Sequence, residues 1–330
     1  MRTLDDGVHP ESGDIIGDRA VKNSSVPALV NVNGLLVPPS EARVSVFDRG
    51  FLYGDSVYEV VRTYGLAPFE LATHLRRLAA SAARIDLALP WDAERMAAEA
   101  ERTLSASRGG DPPDPEAAPW NVGERVARIV VTRGAGDLGL DPGLAVDPTV
   151  VIFALPLRGP PLRAYREGVA AWPVEHAGGQ RRGGDPAAKT GEHLFQVLAV
   201  KEALARGAHE ALLLDAAGNV TEGASSNLFA VQGGVLVTPP LAAGILEGVT
   251  RGVVLELCHE LGIEVREDPL PLASLARATE AFLTSTVREV LPMTRIGGRD
   301  VGGGRPGELT RRLHSAFRRR ADLAAHGRRS

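Results

Sequence analysis

Between Lys189 and Arg251 the chain changes its repeat several times, which excludes a helical bundle and a regular βαβ array. A helical pattern follows Lys189, and two short strand pairs come next, the first ending near Glu222 in Val220-Thr221-Glu222-Gly223. Gly248-Val249-Thr250-Arg251 then opens another helix. Strands and helices also mix on the N-terminal side, so the expected class is α+β in two domains. The lysine at the head of this stretch is scarce: of 37 basic residues only Lys22, Lys189 and Lys201 are lysines. Arginine can replace lysine wherever only charge is needed, but a guanidinium cannot serve as an amine nucleophile. Lys22 sits in a polar segment. Lys201 is expected on the outer face of a helix whose inner face is Leu194, Val197, Leu198 and Leu204. Lys189 is left, either as a Schiff-base lysine or as a solvated loop residue.

A length of 330 residues allows two ordinary domains. Residues 1–26 are expected to form a loose tail, 27–156 a small domain, 157–165 a linker, 166–320 a large domain and 321–330 a tail. Within the small domain, strands are expected around Asn33-Gly34, at Val44-Ser45-Val46, at 56–64, 126–133 and 149–154, with helices over 75–85 and 91–104 and a loop insertion at 108–122. A final helix runs from Leu309 to Phe317, and Arg318-Arg319-Arg320 reads as a solvated face. A net charge of −4 and the lack of basic blocks alternating with aromatics argue against a nucleic-acid partner. The single Cys258, on an apolar helix face, excludes a disulfide framework or multi-cysteine zinc site and reads as a core thiol. No metal is called for. No apolar run suits a signal peptide or a membrane span, so the expected compartment is the cytoplasm.

A pyridoxal phosphate enzyme needs an amine, an acid for the pyridine nitrogen and a phosphate cradle. Lys189 is the candidate amine, and Glu222 the acid, at a strand end beside Gly223 where backbone can approach a flat ring. Free N–H groups at Gly248-Val249-Thr250 make an anion site in principle. Arg77, in His74-Leu75-Arg76-Arg77-Leu78, could add a clamp. Taken singly, Glu222 reads as a turn carboxylate, Arg77 as a solvated helix arginine and His193 as a surface residue.

At these residues the chain resembles the class IV aminotransferases, the fold type IV enzymes of pyridoxal phosphate, from about Val30 to Phe317. The resemblance is carried by Asp48-Arg49-Gly50-Phe51-Leu52-Tyr53-Gly54-Asp55, by Tyr58-Glu59 with Arg62, and by His74 through Leu78 with Ser81. Farther on it rests on Thr221-Glu222-Gly223-Ala224-Ser225-Ser226-Asn227-Leu228-Phe229, Gly244 through Arg251 and Phe282 through Thr286. It implies a small N-terminal and a larger C-terminal domain with the site between them, and a homodimer completing each pocket. Lys189 would then be the Schiff-base lysine and proton shuttle, and Glu222 the partner of the ring nitrogen. Arg77 with the backbone of Val249 and Thr250 would hold the phosphate. Thr286, with Ser285 and Val287 beside it, would lie on the phosphate and substrate-carboxylate side. Tyr53, Tyr58 and Arg62 would lie near the pocket. After the lysine many members carry Asn and then Tyr or Leu, where this chain has Glu192 and His193, so His193 is a candidate to replace a tyrosine beside the cofactor.

Three activities share this scaffold: branched-chain aminotransfer, D-amino-acid or (R)-amine transamination, and aminodeoxychorismate lysis. The last two usually place an arginine where the loop Arg133-Gly134-Ala135-Gly136-Asp137-Leu138-Gly139-Leu140 has Leu138. An apolar Leu138 favours transfer from an aliphatic, branched-chain L-amino acid to 2-oxoglutarate, with Arg128 a candidate for the distal carboxylate. A non-catalytic pyridoxal phosphate binder is the alternative of a different class.

Overall fold

The computed structural model describes residues 29–107, 115–174, 185 and 187–327. The expected tail at 1–26 and the first half of the 108–122 insertion lie outside the described residues. The first sheet begins as a hairpin, β1 (Leu29–Val32) and β2 (Leu35–Val37), whose turn puts Asn33 and Gly34 at positive φ. After the short helix α1 (Arg49–Tyr53) come β3 (Ser56–Tyr64) and β4 (Ala67–Pro68), then helices α2 (Leu71–Arg84) and α3 (Ala93–Ala106). Strands β5 (Arg125–Thr132) and β6 (Thr149–Pro156) complete an antiparallel sheet of order β2-β1-β6-β5-β3-β4. Residues 44–46 form no strand: Val44 and Val46 are exposed, and Asp48 caps α1 instead.

Strand alternation decides what this sheet does. Val57, Glu59 and Val61 point from β3 toward α2 and α3, into a core with Leu75, Leu78, Ile129 and Ile152. Tyr58 and Arg62 therefore leave by the opposite face.

Helix α4 (Leu162–Glu167), which begins within the stretch expected as a linker, buries Ala164 and Tyr165. Strand β7 (Val169–Val174), helix α5 (Leu194–Ala205) and strands β8 (Glu210–Leu214), β9 (Val220–Gly223), β10 (Asn227–Gln232) and β11 (Val235–Thr238) follow. Helix α6 (Val249–Glu260), strand β12 (Val265–Glu267), helix α7 (Leu272–Leu275), strands β13 (Glu280–Ser285), β14 (Glu289–Ile296) and β15 (Arg299–Asp300) and helix α8 (Glu308–Gly327) close the chain. Their sheet runs β12-β11-β10-β13-β14-β7-β8-β9, with β15 beside β14. Cys258 is buried in the core under α6 and α8, as expected of a core thiol, and burial pushes its pKa up to about 11.

Two expectations fail here for packing reasons. Helix α5 buries Ala199 and Ala203 against the sheet, while Leu194, Val197, Leu198 and Leu204 are all more than half exposed. Small side chains let the helix sit close to Ala211 and Leu213, which turns the leucines outward. Helix α8 continues past the expected end because Leu313, Phe317, Ala321 and Ala325 keep one buried face at four-residue spacing. Arg318 is accordingly no solvated residue: it bonds Glu289 and lies over the rings of Tyr64 and Trp120.

Candidate active site

Lys189 lies in a segment that docks on the start of β3. The Tyr58 N–H donates to the Lys189 carbonyl at 3.0 Å, and the Gly191 N–H to the Ser56 carbonyl at 2.9 Å. Gly191 suits this approach, since a Cβ there would stand 2.2 Å from Ser56 Oγ and force that hydroxyl to turn. On the other flank Ser81 Oγ of α2 accepts from the Lys189 N–H at 3.0 Å. With its backbone pinned on both sides, Lys189 directs Nζ to Tyr58 Oη at 2.9 Å, 4.2 Å from the ring centroid.

One residue on, β3 alternation sends Glu59 to the opposite side, where it is fully buried. His74 and Arg77, one helical turn apart on α2, both meet it: His74 Nδ1 donates at 2.7 Å, and Arg77 donates through Nε at 2.6 Å and Nη2 at 2.8 Å. Burial works to raise the Glu59 pKa, but the hydrogen bonds and charges of Arg77 and His74 outweigh it and lower it to about 2. Arg77 then reaches across with Nη1 to the Glu247 carbonyl at 2.7 Å.

Glu247 immediately precedes the start of α6. Gly248 is its N-cap and has no side-chain capping bond, yet Val249 and Thr250 are buried. A Cβ on Gly248 would fall 1.9 Å from Asn227 Oδ1, and Asn227 Nδ2 donates to the Leu246 carbonyl at 2.9 Å. The Leu246 N–H donates to Glu222 Oε2 at 3.0 Å, which ties the acid to the same loop. Nearby on the paired strands β10 and β13, Thr284 Oγ1 is buried without a hydrogen-bond partner, as is Ser226 Oγ just before β10. A run of contacts thus joins Lys189, Tyr58, Glu59, Arg77, Glu247, Leu246 and Glu222.

A family model described as amino-transferase class IV matches residues 56–296, most of the chain and all of this run. The chain belongs to the class IV aminotransferases. A provisionally named branched-chain-amino-acid aminotransferase of Methanocaldococcus jannaschii is 39% identical over 295 residues, covering 88% of this chain and 95% of that protein. A D-alanine aminotransferase of Bacillus licheniformis is 32% identical over 285 residues, covering 86% and 94%. Among solved structures, a T.th. branched-chain aminotransferase complexed with N-(5'-phosphopyridoxyl)-L-glutamate superposes with a TM-score of 0.79 at 29% identity, covering 91% of this chain and 95% of that one. The chain is therefore a pyridoxal phosphate enzyme of the aminotransferase class, on the fold type IV scaffold. Its own residues fit that cofactor: an uncapped buried helix N-terminus, orphaned buried hydroxyls and a nearby arginine suit a phosphate.

The other expected site residues divide. Tyr58 gathers Lys189, Arg128 and His193, with the Arg128 guanidinium 4.1 Å above its ring and His193 edge-on at 4.9 Å. Ser285 ends β13, and Thr286 and Val287 form the partly buried turn beyond it. Arg62, expected near the pocket, is fully buried, donating to Glu289 Oε1 at 2.9 Å and to the Trp120 carbonyl at 3.2 Å, so its charge is matched inside the protein. Leu138, expected as a substrate-binding residue, stands on an outward loop. Leu138 and Leu140 are 68% and 83% exposed, because Arg49 Nη1 holds the Gly139 carbonyl at 2.8 Å and the Gly139 N–H donates to Tyr53 Oη at 3.3 Å, presenting that loop outward. Tyr53 thus serves that loop. Glu59 had no role assigned from the sequence. The signal was there, since strand alternation and the His74/Arg77 spacing place all three groups on one interface.

Proposed function

We propose that this enzyme moves the amino group of a branched-chain L-amino acid to 2-oxoglutarate, with Lys189 as its catalytic amine. The observation that carries the reading is the Lys189 Nζ contact with Tyr58 Oη at 2.9 Å, at the head of a run of contacts ending on Glu222. Lys189 would hold the cofactor covalently, Glu222 its ring nitrogen, and Arg77 with the Val249 and Thr250 N–H groups its phosphate, with Thr286 alongside. When bound, pyridoxal phosphate supplies an electron sink for the bond at the substrate α-carbon. Lys189 Nζ would take the α-proton from the donor amino acid in one half-reaction and give a proton to the α-carbon of the product amino acid in the other, and the Tyr58 hydroxyl keeps that amine in place. Glu59 keeps the Arg77 fork aimed at the start of α6.

The substrate reading rests on the relatives and on two features of this chain. The relatives include branched-chain aminotransferases, one of them captured with a glutamate adduct, so one pocket of this kind takes an aliphatic and a dicarboxylic partner in turn. Arg128 above Tyr58 is the group we assign to the distal carboxylate. Phe47, Phe51, Leu52, Leu138 and Leu140 form an exposed apolar surface around α1 and its clamped loop, which suits a homodimer whose partner lends Leu138 and Leu140 to the pocket. The D-alanine aminotransferase relative keeps a D-specific reading as the second choice. The test is an assay of Leu, Ile and Val in both configurations, with (R)-1-phenylethylamine and aminodeoxychorismate alongside. L-selective turnover of the branched amino acids is expected. Preference for D-amino acids or the aryl amine overturns the stereochemistry, and pyruvate release from aminodeoxychorismate overturns the reaction class.

A further inference from the structure

Arg128 is exposed, yet two neighbours hold it. Its guanidinium lies 4.1 Å above the Tyr58 ring, and its Nη2 points to His193 Nε2 at 3.4 Å. The His193 ring meets the same tyrosine edge-on, with centroids 4.9 Å apart and planes at 85°. His193 is the N-cap residue of α5 but makes no side-chain bond to that helix, so its ring is committed to this cluster. Burial, then the charges of Arg128 and Lys189, lowers its pKa to about 4. At neutral pH the imidazole is uncharged, and with its proton on Nδ1 it can accept at Nε2, which an imidazolium cannot do.

We propose that His193 is a positioning residue that fixes Arg128 over Tyr58 and so sets how well the site takes a dicarboxylate relative to an aliphatic substrate. This rests on the reading of Arg128 as the receptor of the distal carboxylate. A long arginine loses rotamer freedom when it closes on a carboxylate, and one already held in place loses less. His193 engages one of the five guanidinium N–H donors, and the fork keeps others for a carboxylate. An aliphatic side chain makes no call on that fork, so His193 acts on the two half-reactions unequally.

The experiment uses the holoenzyme and measures the two half-reactions separately, with 2-oxoglutarate as the dicarboxylate and with the best aliphatic donor. The readout is the ratio of kcat/KM for the dicarboxylate to kcat/KM for the aliphatic donor. His193→Phe keeps a ring edge against Tyr58 but removes the acceptor. It should lower that ratio about five- to tenfold, mainly through a higher KM for the dicarboxylate. His193→Gln, which keeps an acceptor oxygen, should restore most of the ratio, and His193→Ala serves if the Phe variant does not fold. Arg128→Ala should lower the ratio at least as far, and adding His193→Phe to it should change the ratio no further. Equal losses for both substrates, or a shift of the ratio by His193→Phe that persists without Arg128, overturns the role of His193 while leaving Arg128 in place. An unchanged ratio in Arg128→Ala instead removes the dicarboxylate reading, and this inference with it.

Discussion

Two carboxylates, both fully buried and both gripped by arginine and histidine, lie on opposite faces of β3. Glu59 takes His74 and Arg77 from α2. Glu289, at a φ of +57°, takes Arg62 and Tyr64 from β3 and His314 and Arg318 from α8. The pKa of each is lowered although burial, the largest influence on both, works to raise it. They differ in where the arginines lead. Arg77 continues to the Glu247 carbonyl at the mouth of α6. Arg62 ends on the Trp120 carbonyl and the Tyr64 ring, and Arg318 on two aromatic faces and Asp322. A buried ion pair is therefore no sign of function by itself. The donors its arginine still presents, and what they face, separate the cluster that reaches the mouth of α6 from a clasp between β3, β14 and α8.

The largest effect is expected at the clasp. Glu289→Ala leaves the fully buried Arg62 and the partly buried Arg318 without their carboxylate and should cost about 3–5 kcal/mol of stability in urea unfolding of the holoprotein. A loss under about 1 kcal/mol would show that the cluster relaxes around water and is no clasp. Glu59→Gln should act on the cofactor instead. Loss of a charge-assisted pair of bonds to Arg77 should weaken pyridoxal phosphate retention about ten- to a hundredfold by equilibrium dialysis. Unchanged retention with a stability loss matching Glu289→Ala would make the two clusters equivalent and end the distinction. Arg77→Lys should be milder, about tenfold in retention with some activity preserved, because a point charge replaces a fork.

The smallest effect is a slope with pH. The folded pKa of Glu59 lies near 2, below its ordinary value of 4.5, so its contribution is fully present above 4.5 and fades as pH falls toward 2. Stability of the wild type should decline across that window more steeply than that of Glu59→Gln. A parallel decline in the two proteins would mean that Glu59 is already neutral in the fold.

Much of this was legible in the sequence, and for identifiable reasons. The Asn33-Gly34 hairpin, the long strand at 56–64 and the apolar face of α2 are local patterns, and local chemistry produced them. The scarcity of lysine singles out Lys189 in the sequence, and the strand expected to end near Glu222 is β9. What periodicity could not reveal was which face of α5 turns inward. Its leucines and its alanines both recur at helical spacing, and a close approach to the sheet selects the alanines. Nor could it tell Arg62 from Arg77. Both are arginines in family motifs, and only the long-range partner Glu289 assigns Arg62 to the interior. The outward loop at Leu138 depends on Arg49 and Tyr53, far away in the chain.

The central claim is that Lys189 is the amine at the head of this run of contacts. Borohydride reduction of the holoenzyme, followed by digestion and peptide mapping, tests it directly. The account predicts a pyridoxyl group on the peptide containing Lys189, and its loss in Lys189→Ala. Label on Lys201, which is exposed on the outer side of α5, or on Lys22 would contradict the assignment and leave the Tyr58 contact without a catalytic meaning.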